Sequence, residues 1–332
     1  MAPPPGVLLV NLGTPEEPTP AAVRRYLREF LMDPRVVAIP QPFWWIILNL
    51  FVLPFRPAKT AHKYAAIWTP EGSPLRVYLT RQAQLLRGYL GEKLKRPYPV
   101  VAAMRYGRPS IADGLAELKF RGCERVLVMP LYPQYSASTT ASVGDAVART
   151  VKRMDPAPAI RVVQDFHAHP AYVKAIAKNV TAYWMKHGRP DKLLMSFHGL
   201  PRSAVERGDP YEAQCRASAE LIATELGWND ARTEVSFQSR FGAQEWIKPY
   251  TAETLAAFGR AGLGRVDVIC PGFTADCLET LEEIAMLGRD TFRAAGGKDF
   301  HYIPTTNDTP SWMTALAILA MENLQAWDAG SA

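Results

Sequence analysis

Short apolar runs alternate with longer amphipathic stretches along nearly the whole chain. Val7–Asn11, Val100–Met104, Arg125–Met129, Ile160–Val163, Leu193–Met195, Thr233–Gln238 and Val266–Cys270 have strand length. Most show no in/out alternation, as expected of strands covered on both faces of a parallel sheet. The stretches between them predict helices. Thr19 with Pro20 starts one that runs to about Phe30, and Ser73 with Pro74 caps another that runs to about Lys95. Further helices are expected over Ile111–Arg121, Thr139–Met154, Tyr172–His187, Glu212–Leu226 and Thr251–Gly262, with a long one from about Asp276. Strand and helix alternate throughout, so the sheets should be parallel and the crossovers right-handed.

The chain also repeats itself. Leu115-Ala116, Gly122, Arg125-Val126 and Val128 match Leu255-Ala256, Gly262, Arg265-Val266 and Val268 at a constant offset of 140 (255 minus 115). Met104-Arg105-Tyr106-Gly107 matches Ser239-Arg240-Phe241-Gly242 at an offset of 135 (239 minus 104). A duplicated α/β unit follows, giving two similar domains with a cleft between them. The expected boundaries are residues 5–160, residues 161–309, and a C-terminal helix over 310–328 packing back on the first domain.

Composition narrows the function. With 48% hydrophobic and 21% charged residues among 332, the chain can fill two cores. Its net charge of +6 is spread without Lys/Arg clusters, which argues against nucleic acid as a partner. Cys123, Cys215, Cys270 and Cys277 form no Cys-x-x-Cys pair and read as reduced, buried thiols of a cytosolic protein. The start, Met-Ala-Pro-Pro-Pro-Gly, lacks the pattern of a signal peptide. No Gly-x-Gly-x-x-Gly follows the first strand and no Walker lysine is present, so a dinucleotide or ATP site is not supported.

Two stretches stand out. Phe43–Phe55 is apolar on every side yet too short for a bilayer, which needs about 20 residues. It could be a core helix. The Arg56, Lys59, His62 and Lys63 that follow favour instead a lip, residues 41–57, that rests on a membrane and walls a site for an apolar ligand. The other stretch, Lys192–Pro201, reads as a buried strand stopping on His198, because Gly199 and Pro201 force a turn. That leaves the imidazole at the carboxyl edge of the sheet, where ligands bind in such folds. A histidine bonded to a nearby backbone carbonyl is the plainer alternative.

In the second repeat the strand ending at Cys270 leads into Pro271–Ile284, with Glu279 and Glu283 four apart on one helix face and Asp276 three before Glu279. Acidic residues suit the start of any helix, and Asp276 could be an N-cap. A file of carboxylates nevertheless repels itself unless protons or a hydrated cation pass along it. Histidine and glutamate at neighbouring strand ends make a mixed N/O site for ferrous iron, zinc or cobalt, and equally for protons.

At these residues the chain resembles the ferrochelatases, which insert ferrous iron into a porphyrin late in haem synthesis. The marks are Val10–Pro15, Tyr132-Pro133-Gln134-Tyr135-Ser136, Ser196–Pro201, Arg207-Gly208-Asp209-Pro210-Tyr211, Phe237–Gly242 with Trp246 and Pro249, and Asp276–Leu281. They cover nearly the whole chain and are most similar to the bacterial protoporphyrin enzymes. The resemblance implies two Rossmann-like domains of the chelatase type and a lyase activity. It makes His198 and Glu279 the catalytic pair that binds iron or accepts the pyrrole protons, in an order it leaves open. Asp276 and Glu283 would continue an acidic path on a helix with a π-helical stretch. Leu12, Arg105, Tyr106, Tyr132 and Trp246 would face the porphyrin, although Tyr132 and Trp246 also suit ordinary core positions.

The chemistry agrees with these residue types. Iron enters a porphyrin only if the ring bends and both central protons leave; apolar walls hold it bent while histidine and carboxylate take the protons. The expected partners are therefore porphyrin, ferrous iron, a membrane surface met through Phe43–Phe55, and the oxidase that precedes the enzyme in the pathway. The expected location is the cytoplasm, peripheral on the inner face of the membrane. No permanent cofactor is expected, and no [2Fe–2S] cluster, since no cysteine follows Cys277 and Ala137 stands where some cluster-bearing relatives have cysteine. A coproporphyrin ferrochelatase and a non-catalytic haem or metal carrier are the alternatives. A solute-binding protein, also two-lobed, fits less well without an export signal.

Overall fold

In the computed structural model, which describes residues 5–329 apart from 96, 229, 230 and 243, the first apolar run becomes β1 (Gly6–Gly13). Val7–Val10 are fully buried, because β1 is central and pairs in parallel on both sides. Helix α1 (Pro20–Leu31) follows, with Thr19 Oγ1 accepting from the Ala22 N–H at 3.3 Å. Next come α2 (Gln41–Ile47), a π-helical turn over Leu48–Val52, α3 (Arg56–Ile67) and α4 (Pro74–Leu94). Ser73 is the residue before α4, as expected, but its side chain makes no capping bond. Then follow β2 (Val100–Tyr106), α5 (Ile111–Phe120), β3 (Arg125–Pro130), a π turn over Ala137–Ala141, α6 (Ser142–Val151) and β4 (Ala159–Val162).

The second repeat runs α7 (Pro170–His187), β5 (Lys192–His198), α8 (Arg202–Glu206), α9 (Tyr211–Glu225), β6 (Thr233–Gln238), α10 (Thr251–Arg260) and β7 (Arg265–Ile269). A π-helix over Glu279–Gly288, α11 (Arg289–Ala294), β8 (Asp299–Tyr302) and α12 (Pro310–Ala329) complete it. Among the described residues the strands form two four-stranded parallel sheets, ordered β2-β1-β3-β4 and β6-β5-β7-β8. The two orders are the same once the second set is renumbered, so the internal repeat in the sequence is a repeat of topology. One detail recurs as well: the Met104 N–H donates to the Pro109 carbonyl at 2.7 Å, and the Phe237 N–H to that of Pro249 at 2.8 Å.

Two compact units divide the chain. One comprises the chain up to Leu131, Ala137–Gln164 and the residues from Leu316 on; the other comprises Tyr132–Ser136 and Asp165–Ala315. Tyr132–Ser136 follows a strand of the first sheet but belongs with the second unit. The reason is a set of polar tethers: the Tyr135 N–H donates to Gln214 Oε1 at 2.6 Å, Ser136 Oγ to Asp209 at 2.9 Å, and Gln134 Nε2 to Ser218 Oγ at 2.9 Å. Within the first unit, Arg161 Nη1 donates to the Asn323 carbonyl at 2.9 Å and ties down the second half of α12.

The Phe43–Phe55 segment is not apolar all round in its packing. Leu48 and Leu53 are buried and Trp44 Nε1 donates to the Leu31 carbonyl at 2.6 Å, which pins one side to α1. The other side presents Phe43, Trp45, Ile46, Leu50, Phe51 and Phe55, with Phe43 68% and Phe51 66% exposed. This is an element attached along one side with an apolar face left exposed, not a core helix. No helix among the described residues is long and apolar enough to cross a membrane.

Candidate active site

β5 carries His198 to its carboxyl end, as its buried apolar run requires. The ring is half-buried and its Nδ1 lies 2.7 Å from the Gly199 carbonyl oxygen. A carbonyl only accepts, so Nδ1 carries the hydrogen and the neutral ring presents the Nε2 lone pair. The plainer reading of a backbone-bonded histidine therefore describes the Nδ1 side of the ring, and the carbonyl orients it so that Nε2 faces away. Gly199 is required here, since a Cβ would lie 2.7 Å from the Gln238 carbonyl oxygen and 3.0 Å from the Trp246 ring.

Glu279 opens the π-helix that follows β7, and its side chain is half-buried. Thr280 Oγ1 accepts from the Cys277 N–H at 3.0 Å and bonds Asp276 at 3.0 Å, so a side chain takes over hydrogen bonding in the first turn. Such π segments are rare and concentrate at functional sites. The helix expected from about Asp276 is thus π-helical over Glu279–Gly288, in keeping with the π-helical stretch that the resemblance implied. The wider turn still leaves Glu279 and Glu283 on nearly one face.

The carboxylates have different surroundings. Glu283 accepts from the Ser239 N–H at 2.6 Å and from Ser239 Oγ at 2.5 Å, with Gln238 Nε2 at a longer 3.5 Å. Ser239 reaches it from a left-handed backbone, φ 66°. Asp276 is enclosed instead of open to a path. It is buried and accepts from Asn307 Nδ2 at 2.7 Å, Thr280 Oγ1 at 3.0 Å and the Tyr302 hydroxyl at 2.5 Å, while its own N–H donates to Asn307 Oδ1 at 2.8 Å. Asp276 therefore fixes the start of the π-helix and makes no N-cap bond. Burial, followed by the Asp276 charge, pushes the Tyr302 phenol well up and keeps it a donor. Burial, with Glu279 next, likewise raises the Cys277 thiol, and burial raises that of Cys270. Both are protonated buried thiols, as read from the sequence.

Gln238 connects these parts. It pairs in register with His198, accepts from Ser196 Oγ at 2.8 Å, and donates from Nε2 to the Glu279 main-chain carbonyl at 2.7 Å. Gln238, Ser239, Tyr302 and Asn307 were not singled out from the sequence. For the first two the signal was available, since Phe237–Gly242 begins at the carboxyl end of β6.

The second unit also holds Tyr132, partly exposed, and Trp246, which is buried with its indole N–H donated to the Phe241 carbonyl at 3.0 Å. The core reading describes the Trp246 side chain. Leu12, Arg105 and Tyr106 belong to the first unit. Leu12 is half-buried at the end of β1. Tyr106, expected to face a ligand, is 0% exposed; its hydroxyl donates to Asp33 at 2.8 Å and its ring lies 4.3 Å below the Arg105 guanidinium. Arg105 is committed to Asp33 through Nη2 and to Ser142 Oγ at 2.7 Å. Among the described residues, no group of three or more His, Cys, Asp or Glu is placed to hold a metal ion. A base at His198 and carboxylates at Glu279 and Glu283 suit proton acceptance and transient metal contact.

A family model described as Ferrochelatase matches residues 4–324. The chain is similar to the ferrochelatase of Aromatoleum aromaticum, 56% identical over 97% of this chain and 88% of that one. It is also similar to that of Methylobacillus flagellatus, 52% identical over 97% and 94%. Among solved structures, SirB from Bacillus subtilis with Fe3+ matches with a TM-score of 0.55 and 14% identity, covering 96% of this chain and 95% of that one. A multi-domain Deinococcus radiodurans protein with structural similarity to chelatases gives a TM-score of 0.52 and 14% identity, covering 96% of this chain and 54% of its own. At these identities the likeness is one of fold.

Proposed function

The chain belongs to the ferrochelatase family and is an enzyme of porphyrin metallation, and we propose that it inserts ferrous iron into protoporphyrin IX with His198 and Glu279 as the catalytic pair. The observation that carries this assignment is the hydrogen bond from His198 Nδ1 to the Gly199 carbonyl, which leaves Nε2 as a base at the carboxyl edge of β5. In this reading Nε2 takes a pyrrole proton, Glu279 takes the other or meets the incoming iron, and Glu283 relays charge along the π-helix. The Ser239 donors hold the Glu283 carboxylate in place beside the π-helix. A product that is flat again fits a site shaped for the bent ring less well and departs.

The substrate preference rests on the lip. Its exposed Phe43, Trp45, Leu50, Phe51 and Phe55 are suited to an apolar macrocycle and to the outer layer of a membrane, with Arg56, Lys59 and Lys63 beside it for anionic headgroups. The enzyme then works peripherally on the cytoplasmic face, and porphyrin from the preceding oxidase would arrive at this surface.

Anaerobic insertion of ferrous iron into protoporphyrin IX, followed by absorbance beside coproporphyrin III and with His198→Ala in parallel, tests the proposal. Faster turnover of protoporphyrin, abolished in the variant, is expected. Preference for coproporphyrin would overturn the substrate assignment, and an active His198→Ala enzyme would overturn the catalytic one.

A further inference from the structure

At the outer edge of the second sheet, three aromatic side chains from α7 and β8 meet. His187 is the last residue of α7 and is exposed, while His301 lies on the edge strand β8 and is half-buried. Their ring centroids are 5.8 Å apart and the planes stand at 77°. Tyr183 flanks both, its ring 4.3 Å from that of His187 and its hydroxyl 3.1 Å from His301 Nδ1.

We propose that His187 and His301 form a two-imidazole site for a late first-row divalent cation such as Ni2+ or Zn2+, separate from the active site. An imidazole nitrogen binds such ions at about 2.0–2.1 Å, which places the ion about 3.2 Å from the ring centroid. Two rings on one tetrahedral ion then have centroids about 5.2 Å apart, close to the 5.8 Å between His187 and His301. The Tyr183 hydroxyl supplies the outer partner that a metal-binding histidine uses: with Nδ1–H donated to it, His301 offers Nε2 to the ion.

The guanidinium of Arg265, which also donates to the His187 carbonyl, borders the site, and carboxylates offset its charge. Arg265 is held by Asp267 through bonds of 2.8 and 3.0 Å, and Asp299 stands two residues before His301 on the outward face of β8. Water completes the coordination, and imidazole-only donors favour nickel, copper, cobalt and zinc over magnesium or calcium. His301 pairs with Asp267, and Asp267 with Leu193 on β5. Leu193 precedes His198 by five residues (198 minus 193), or about 16 Å along the strand.

Calorimetric titration of the full chain with Ni2+ tests the site. His187→Ala, an exposed change, should weaken this binding by about a hundredfold, as expected when a two-point attachment becomes single. Tyr183→Phe, which keeps the ring, should weaken it by about tenfold. His198→Ala should leave it in place, and His187→Ala should leave porphyrin metallation unchanged. An isotherm of His187→Ala that superimposes on the native one would overturn the proposal. So would an equal loss in His62→Ala, which would mark an adventitious ion only.

Discussion

Gln238 donates from Nε2 to the main-chain carbonyl of Glu279 at 2.7 Å while sitting directly opposite His198 in the β5–β6 pair. One amide thus ties the end of the histidine strand to the first residue of the π-helix. Gln238→Leu keeps the volume but leaves buried Ser196 with Thr251 as its remaining hydroxyl partner and takes the side-chain donor from the Glu279 main-chain carbonyl. The expected result is a stability loss of about 1–3 kcal/mol by urea unfolding. A larger fall in kcat than in affinity for porphyrin is also expected. Unchanged kcat would show that the tether has no part in setting the Glu279 position.

Ser239 combines a left-handed backbone with two donors to Glu283. Replacing it by alanine removes the hydroxyl bond and keeps the strained φ, whereas glycine removes the same bond and relieves the strain. Ser239→Gly should therefore be about 1 kcal/mol more stable than Ser239→Ala, measured by thermal unfolding. Both variants should lose activity to a similar degree.

Asp33 anchors the first unit through a stabilisation that acid removes. Burial pushes its pKa up, but bonds from Ser142, the Arg35 N–H and Tyr106, with the Arg105 charge, outweigh this and hold it below the ordinary carboxylate value. Its folded pKa is thus below the unfolded one. The stability it contributes is complete above about pH 4 and lost as pH falls through the lower, folded value. Asp33→Ala leaves the Arg105 charge buried and should cost about 3–5 kcal/mol near neutral pH. The gap between native and variant, read from urea midpoints, should narrow below pH 4; a gap that widens there would contradict the sign.

Gly199 has no room for a methyl group between the Gln238 carbonyl and the Trp246 ring. Gly199→Ala should push apart the β5 and β6 ends, shift the His198 ring and reduce turnover strongly, while far-UV circular dichroism stays native. Wild-type kinetics in this variant would mean the strand ends yield without moving the imidazole.

The lip offers a separate test. Phe51→Ser and Phe43→Ser should reduce co-sedimentation with anionic vesicles, because each removes an exposed ring from the surface that would insert. The fold should be unaffected, since neither side chain is part of a core. Undiminished vesicle binding in the double variant would remove the membrane role from this segment.

Much of this architecture was legible in the chain. Strands covered on both faces must be apolar throughout, and Thr19, Pro20, Gly199 and Pro201 act on their immediate neighbours, so element order, the internal repeat and the place of His198 are written locally. Glu279 and Glu283 share a face by spacing alone. Which polar groups remain available was settled by partners remote in sequence. Tyr106 is closed off by Asp33, 73 residues away, and Asp276 by Asn307, 31 residues away. Tyr132–Ser136 joined the second unit through Asp209, Gln214 and Ser218. The basic nitrogen of His198 was selected by the direction of one carbonyl. Periodicity and turn chemistry act over a few residues. Hydrogen-bond satisfaction inside a core is decided only when distant segments pack, and that step belongs to the tertiary structure.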